Sequence, residues 1–270
     1  MRRTPPVNSL LPGRDELLPW VTRYVLDREH ADEIRVRDES AWDFRVLGGV
    51  LERVRRAAHA YLVLDQRGFA VEGRFMVRSA IEHAVTAQWA YLTPDGIDRL
   101  EVKMIQAKLD YAKQSRDPKD PEWAEVFAAI EKQFPRTSSG VRKPGVPKFT
   151  GAGQMLATMD ATGYLQRAYA VLSRVGHVSD QAVSDYFVTE PDGRVVVTSA
   201  PAEDFDLEVF HTIATCCALA AWVRARLEGD EQGIEFASSQ GLLYRLDTHL
   251  DPIQRRFPNE ERSRTSAPAR

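Results

Sequence analysis

The sequence predicts an all-α fold, an up-and-down helical bundle that carries one small inserted β-hairpin. Three long segments, near residues 41–66, 71–92 and 206–227, repeat their apolar residues with the 3.6-residue period of an α-helix. Residues 186–198 instead place β-forming residues on both sides of an E-P-D-G turn, which predicts the hairpin. Hydrophobic residues make up 43% of the chain, enough for a sizeable core.

Capping residues and chain breaks place the other elements. Pro19 suits the first position of a helix, Ser40 is a good N-cap for the second helix, and Asp204 or Asp206 can cap the late apolar helix. The predicted helices cover residues 19–28, 41–66, 71–92, 96–113, a short stretch ending near 134, 154–159, 161–177, 206–227 and 231–250.

The domain organisation predicted from these elements is simple. A flexible N-terminal arm, residues 1–13, precedes a single helical domain at 14–253, and a polar, Arg-rich tail at 254–270 is expected to be disordered. Within the domain, residues 135–151 contain three prolines and three glycines, which predicts a loop.

The net charge and the distribution of apolar residues argue against a nucleic-acid-binding, secreted or membrane protein. The net charge of −3 argues against a dedicated nucleic-acid binder, which usually has a strongly basic face. The sequence shows no signal peptide and no membrane-spanning stretch, so we expect a cytoplasmic protein that makes no membrane contact. Cys216 and Cys217, the only cysteines, are adjacent in an apolar run and are interpreted as core residues in a reducing compartment.

Polar residues interrupt the apolar stripe of the third helix. Arg78 and Glu82 lie one turn apart on the same face as Phe75, Val85 and Trp89. Ionised side chains are rarely buried unless they are paired. Two interpretations follow: a buried structural ion pair, or a pair that lines a pocket and binds an anionic ligand through the guanidinium.

A second polar stripe lies on the helix that ends near residue 177. Tyr169, Ser173 and His177 are spaced i, i+4 and i+8 and therefore share one face. His177 could act as an acid or base, with Ser173 as a nucleophile, or it could simply satisfy the last carbonyls of its helix. Because each stripe is too polar to be buried alone, we expect Arg78, Glu82, Tyr169, Ser173 and His177 to meet in space.

These two stripes carry a family resemblance over about residues 45–225. The runs R-S-A-I-E, from Arg78 to Glu82, and Y-A-V-L-S-R-V-G-H, from Tyr169 to His177, resemble the motifs of an all-helical bacterial family of unknown function. The resemblance implies an all-helical fold and a shared polar cluster made of the five residues named above. The resemblance implies no established activity. The first function hypothesis is a binding or interaction protein in bacterial stress response or defence, whose cluster is structural or senses a ligand.

A weaker similarity points to an enzyme. Arg78 and His83 have the R-x4-H spacing of HEPN domains, helical ribonucleases that need no metal, with Ser79 in the polar position after the arginine. This resemblance implies a homodimer that cleaves RNA, with His83 as acid/base and Arg78 holding the phosphate. The two enzyme hypotheses, the Ser173–His177 dyad and the HEPN-like ribonuclease, together give these catalytic candidates: Arg78, Glu82, His83, Ser173 and His177. The candidates for ligand binding are Arg78, Glu82, Tyr169, Ser173 and His177. The ligand would be a small anion or RNA.

No metal or cofactor is expected. The sequence lacks H-E-x-x-H, C-x-x-C and G-x-x-x-x-G-K-[ST] motifs. It has one E-x-x-H, from Glu208 to His211, whereas a di-iron bundle needs two such motifs and two further glutamates.

Overall fold

The structure, a computed structural model, describes residues 11–26, 36, 38–115, 120–133, 136–137, 140–141, 145–175, 186–198 and 206–251. Over these ranges most residues are helical, and the chain forms nine α-helices: α1 (Arg14–Leu26), α2 (Ala41–Gln66), α3 (Ala70–Leu92), α4 (Gly96–Ser115), α5 (Pro121–Gln133), α6 (Ala152–Met159), α7 (Tyr164–Val175), α8 (Asp206–Glu228) and α9 (Glu231–Tyr244). The predicted all-α bundle with a small inserted hairpin is confirmed.

The core lies where α2, α3 and α8 pack against one another. These are the three helices with the clearest apolar pattern, and they supply most of the buried side chains, as expected. α8 is buried around its whole circumference from Val209 to Ala220. A helix that is apolar on every side is stable only inside a larger structure, so α8 is the central helix of the bundle. Cys216 and Cys217 are buried there as free thiols.

The predicted hairpin is present at the predicted place. β3 (Phe187–Thr189) pairs antiparallel with β4 (Val195–Val197), with Phe187 opposite Val197. Gly193 has a φ of +83°, a value that glycine adopts without strain and that the tight turn requires. Next to β3, the hydroxyl of Tyr186 donates to Oε1 of Glu72 at 2.6 Å, so the hairpin is attached to α3.

A second, smaller strand pair lies in the segment that the sequence predicts as a loop. β1 (Arg136–Thr137) pairs antiparallel with β2 (Gly140–Val141). The pairing uses backbone groups, which every residue except proline provides in full. The amino-acid composition of residues 135–151 therefore did not indicate the strand pair β1–β2.

Three helix boundaries differ from those predicted by three residues or more. α1 begins at Arg14 because the carbonyl of Gly13 already accepts from the amide of Leu17, and Pro19 lies inside the helix. α7 begins at Tyr164, where one carboxylate oxygen of Asp160 accepts from the hydroxyl of Thr162 and the other accepts from the amide of Gln166 in the first turn of the helix. α9 ends at Tyr244, since Arg245 adopts a left-handed conformation with φ of +54°.

The predicted cap of α2 is also different. Ser40 precedes α2, as expected, but its side chain makes no capping hydrogen bond, and it ends a 3-10 helix, Asp38–Ser40, instead. The predicted arm and tail fall largely or wholly outside the described residues, as does Asp204.

Candidate functional site

Two neighbouring helices hold the polar stripes that the sequence singled out. α3 and α7 pack against each other. Val77 and Ile81 on α3 and Leu165 and Leu172 on α7 are buried in the same core. These apolar residues fix the rotation of each helix, so the polar residues between them come to lie side by side at the edge of the core.

Arg78 is the centre of this site. Its Nε donates to Oγ of Ser173 at 3.1 Å, and one terminal nitrogen donates to the hydroxyl of Tyr169 at 3.4 Å. The guanidinium carbon also lies 5.3 Å from the centre of the Tyr169 ring, within the range of a cation–π contact. Three residues from two helices thus meet, as the two polar stripes predict.

Glu82 joins the site but does not form a tight ion pair. Its Oε2 lies 3.8 Å from a terminal nitrogen of Arg78, beyond hydrogen-bond distance. The side chain of Arg78 is 34% exposed and that of Glu82 is 46% exposed. The pair is therefore half-open to solvent, and the alternative of a buried structural ion pair does not describe it. We call Arg78, Glu82, Tyr169 and Ser173 the Arg78 cluster.

His83 is directed away from this cluster. Its Nδ1 lies 2.7 Å from the backbone carbonyl of Ser79, one turn earlier on α3, and 3.5 Å from the hydroxyl of Ser79. Among the described residues, no hydrogen bond joins His83 to Arg78. The five-residue separation explains this, because it turns two helical side chains about 140° apart.

The fifth predicted member of the cluster, His177, lies outside the described residues, since α7 is described to Val175. The Ser173–His177 dyad therefore stays a prediction. Ser173 itself lies in hydrogen-bond contact with Arg78.

A second polar group, deeper in the bundle, was not predicted as a site. His211 on α8 is only 4% exposed, and its Nδ1 lies 3.1 Å from the hydroxyl of Tyr164. That hydroxyl also lies 2.8 Å from Oγ1 of Thr212 and 3.1 Å from the carbonyl of Glu208. His211 belongs to the E-x-x-H motif, which was the only sequence signal at this position.

Burial dominates the electrostatics of this group. Burial lowers the pKa of His211 below its ordinary value. The backbone of Arg245 raises this pKa, but to a smaller extent. Burial raises the pKa of the Tyr164 hydroxyl far above its ordinary value. Nε2 of His211 is buried and forms no hydrogen bond of normal geometry with the described residues. Neutral His211 is therefore the form that the fold accommodates.

Acid is expected to destabilise the fold through His211. In the unfolded chain this histidine gains a proton near pH 6.5, whereas the folded protein resists protonation. The unfolded state then binds more protons below that pH, so stability falls as the pH falls, by at most about 1.4 kcal/mol per pH unit. Chemical denaturation between neutral pH and pH 5 measures this slope.

The matched variant is His211→Asn, which keeps a polar group near the position of Nδ1 but cannot titrate. Its stability should depend less steeply on pH than that of the wild type. Equal slopes for the two proteins would contradict the assignment of the acid sensitivity to His211.

The described residues contain no group of three or more His, Cys, Asp or Glu side chains that could hold a metal ion. Over the same residues, no helix is both long enough and apolar enough to cross a membrane.

Comparison with protein-family models, with curated proteins and with solved structures found no match to this chain.

Proposed function

We propose that this protein is a binding protein and that the Arg78 cluster takes a small oxyanion, a phosphate or carboxylate group. The main support for this proposal is that Arg78 donates its two hydrogen bonds to the neutral hydroxyls of Ser173 and Tyr169 rather than to a carboxylate. Its positive charge is thus held in a defined orientation, and its nearest acid, Glu82, lies 3.8 Å away and accepts no hydrogen bond from it.

The hydroxyls add donors of their own. Each accepts a hydrogen bond from Arg78, so the proton of each O–H is left to point elsewhere. A guanidinium has five N–H donors, and only two are used in these bonds. The cluster therefore offers guanidinium and hydroxyl donors together at a half-exposed position, an arrangement that suits the oxygens of a phosphate or carboxylate.

Glu82 acts as a competitor in this arrangement. Its carboxylate lies 3.8 Å from Arg78, so a bound anion would either displace this carboxylate or lie close to it and be repelled by it. Like charges that share a site disfavour each other. Removing the charge of Glu82 should therefore strengthen anion binding, whereas removing the charge of Arg78 should weaken it.

The ribonuclease hypothesis has less support from the geometry. That chemistry needs an arginine and a histidine that converge on one phosphate, whereas His83 contacts Ser79 on its own helix. A homodimer and a role in bacterial stress response or defence stay predictions from the sequence.

The expected result is phosphate binding that depends on Arg78. Isothermal titration calorimetry with inorganic phosphate at constant ionic strength should show binding by the wild type and a loss of about tenfold or more in affinity for Arg78→Gln, since a charge-assisted hydrogen bond contributes about 1.5–3 kcal/mol. Glu82→Gln should bind more tightly than the wild type. Acetate, titrated in parallel, tells whether the cluster prefers phosphate or carboxylate.

Arg53→Gln is the matched control, because Arg53 is exposed on α2 and the change in net charge is the same. Since the Arg78–Glu82 pair is half-exposed, all three variants should keep the stability of the wild type within about 1 kcal/mol. Phosphate affinity that falls equally in Arg53→Gln and Arg78→Gln would show a general charge effect and refute the proposal, as would a wild type that binds neither anion.

A further inference from the structure

A cavity of about 150 Å³ lies between α1, α8 and α9, well apart in the chain from the Arg78 cluster. Its walls combine three aromatic side chains, Trp20, Tyr24 and Phe236, with two arginines, Arg23 and Arg224. Pockets that bind small molecules have this composition, mostly apolar and aromatic walls with a few polar groups that orient the ligand.

The aromatic walls are preformed. The rings of Trp20 and Phe236 lie 5.9 Å apart and those of Trp20 and Tyr24 lie 6.3 Å apart, both tilted relative to each other. Nε1 of Trp20 donates to the carbonyl of Ala214 at 3.3 Å, which fixes the indole against α8. A cavity of roughly 150 Å³ accommodates one benzene ring, so the size fits a ligand with a single six-membered ring.

Among the described residues around the cavity, one cation is not paired with an acid. Nε of Arg224 donates to Oε1 of Glu228 at 2.8 Å, so these two side chains neutralise each other. The carboxylate of Asp230 caps α9 by accepting from the amide of Gly233 at 2.9 Å, where the positive end of the helix dipole also stabilises it.

Arg23 differs from both of these groups. Its guanidinium carbon lies 4.3 Å from the centre of the Phe236 ring, and no carboxylate among the described residues pairs with it. Because this cation already covers the Phe236 ring, a positively charged ligand would be repelled there. A negatively charged ligand would gain an ion pair with Arg23.

We propose that this cavity binds a small aromatic carboxylate, whose ring packs against Trp20 and Tyr24 while its carboxylate pairs with Arg23. Arginine favours this role because its planar fork matches a carboxylate in geometry and can stack on an aromatic face at the same time. The site uses none of the residues of the Arg78 cluster, so it is independent of the function proposed above.

Benzoate is the probe, and benzyl alcohol and benzylamine are its neutral and cationic counterparts of similar size. Ligand-observed NMR and calorimetry with the full chain should show that benzoate binds more tightly than either counterpart. Arg23→Gln should lower the affinity for benzoate by about tenfold or more, the loss expected for a charge-assisted hydrogen bond. Ala221→Phe, which adds a ring to the cavity wall, should abolish binding.

Arg226→Gln is the matched control, because Arg226, on α8, also lies over an aromatic ring, that of Trp222 at 5.6 Å, but does not line the cavity. It should bind benzoate like the wild type. Arg23 is exposed, so circular dichroism should show that Arg23→Gln folds normally, and this variant decides the outcome even if Ala221→Phe does not fold.

Three results would overturn the proposal. The first is a wild type that does not bind benzoate, or that binds benzyl alcohol or benzylamine equally well. The second is an unchanged affinity in Arg23→Gln. The third is an affinity for benzoate that falls more in Arg78→Gln than in Arg23→Gln, since benzoate would then bind mainly at the Arg78 cluster.

Discussion

Replacing Phe210 with alanine is expected to lower the free energy of unfolding by about 3–5 kcal/mol, the range found when a large buried aromatic side chain is removed from a core. Phe210 is completely buried on α8, the central helix, and its ring centre lies 6.0 Å from that of Tyr61 on α2. The truncation leaves a cavity where α2 and α8 meet. Urea denaturation followed by circular dichroism measures the change.

Leu242→Ala is the control for this experiment. Leu242 is also a large apolar residue on a helix, α9, but it is 86% exposed. Its replacement should change stability by no more than about 0.5 kcal/mol. If Phe210→Ala were equally mild, α8 could not be the central helix of the bundle.

The second large effect is expected at Gln88, a completely buried polar residue on α3. Its Nε2 donates to the carbonyl of Leu219 at 2.9 Å and to that of Thr248 at 3.3 Å, and its Oε1 accepts from the amide of Leu250 at 3.1 Å. One side chain thus ties the turn after α9 to both α3 and α8.

Gln88→Leu should cost about 2–4 kcal/mol, because the buried amide of Leu250 and the carbonyl of Thr248 lose their partner, and each such group costs about 1–3 kcal/mol. Gln232→Leu, at an exposed position of α9, provides the control for the same chemical change. Urea denaturation compares the two variants with the wild type.

Hydrogen exchange gives a local test of the same assignment. The Leu250 amide should be protected in the wild type and exposed to exchange in Gln88→Leu. Protection that persists in the variant would mean that another group holds the turn after α9.

The helices were predictable because their evidence is local. The apolar period of α2 and α3 and the turn signal between β3 and β4 can be read from a short window of sequence, and both were found at the predicted positions. Boundaries were harder to predict, because the end of α9 depends on the left-handed conformation of Arg245 and on the burial of Leu246 and Leu250 against distant helices.

For the Arg78 cluster, the sequence predicted which residues meet but not how exposed they are. Helical periodicity by itself placed Arg78 and Glu82 on one stripe and Tyr169 and Ser173 on another, and the cost of burying a lone polar group predicted that the stripes would face each other. Exposure was decided only by tertiary structure. It depends on how far α7 covers α3, which is a property of the packing and not of either helix, and the result is a half-open cluster.

The sequence by itself thus determined the type and order of the helices, the hairpin, and the pairing of two polar stripes. Only the tertiary structure decided which polar residues are buried, as it did for His211 and Gln88, and which helices line a cavity. The aromatic and arginine walls of that cavity come from α1 and, about 200 positions later in the chain, from α8 and α9. A cavity is the space left where separate helices fail to fill the volume between them, so no periodicity within one helix can reveal it.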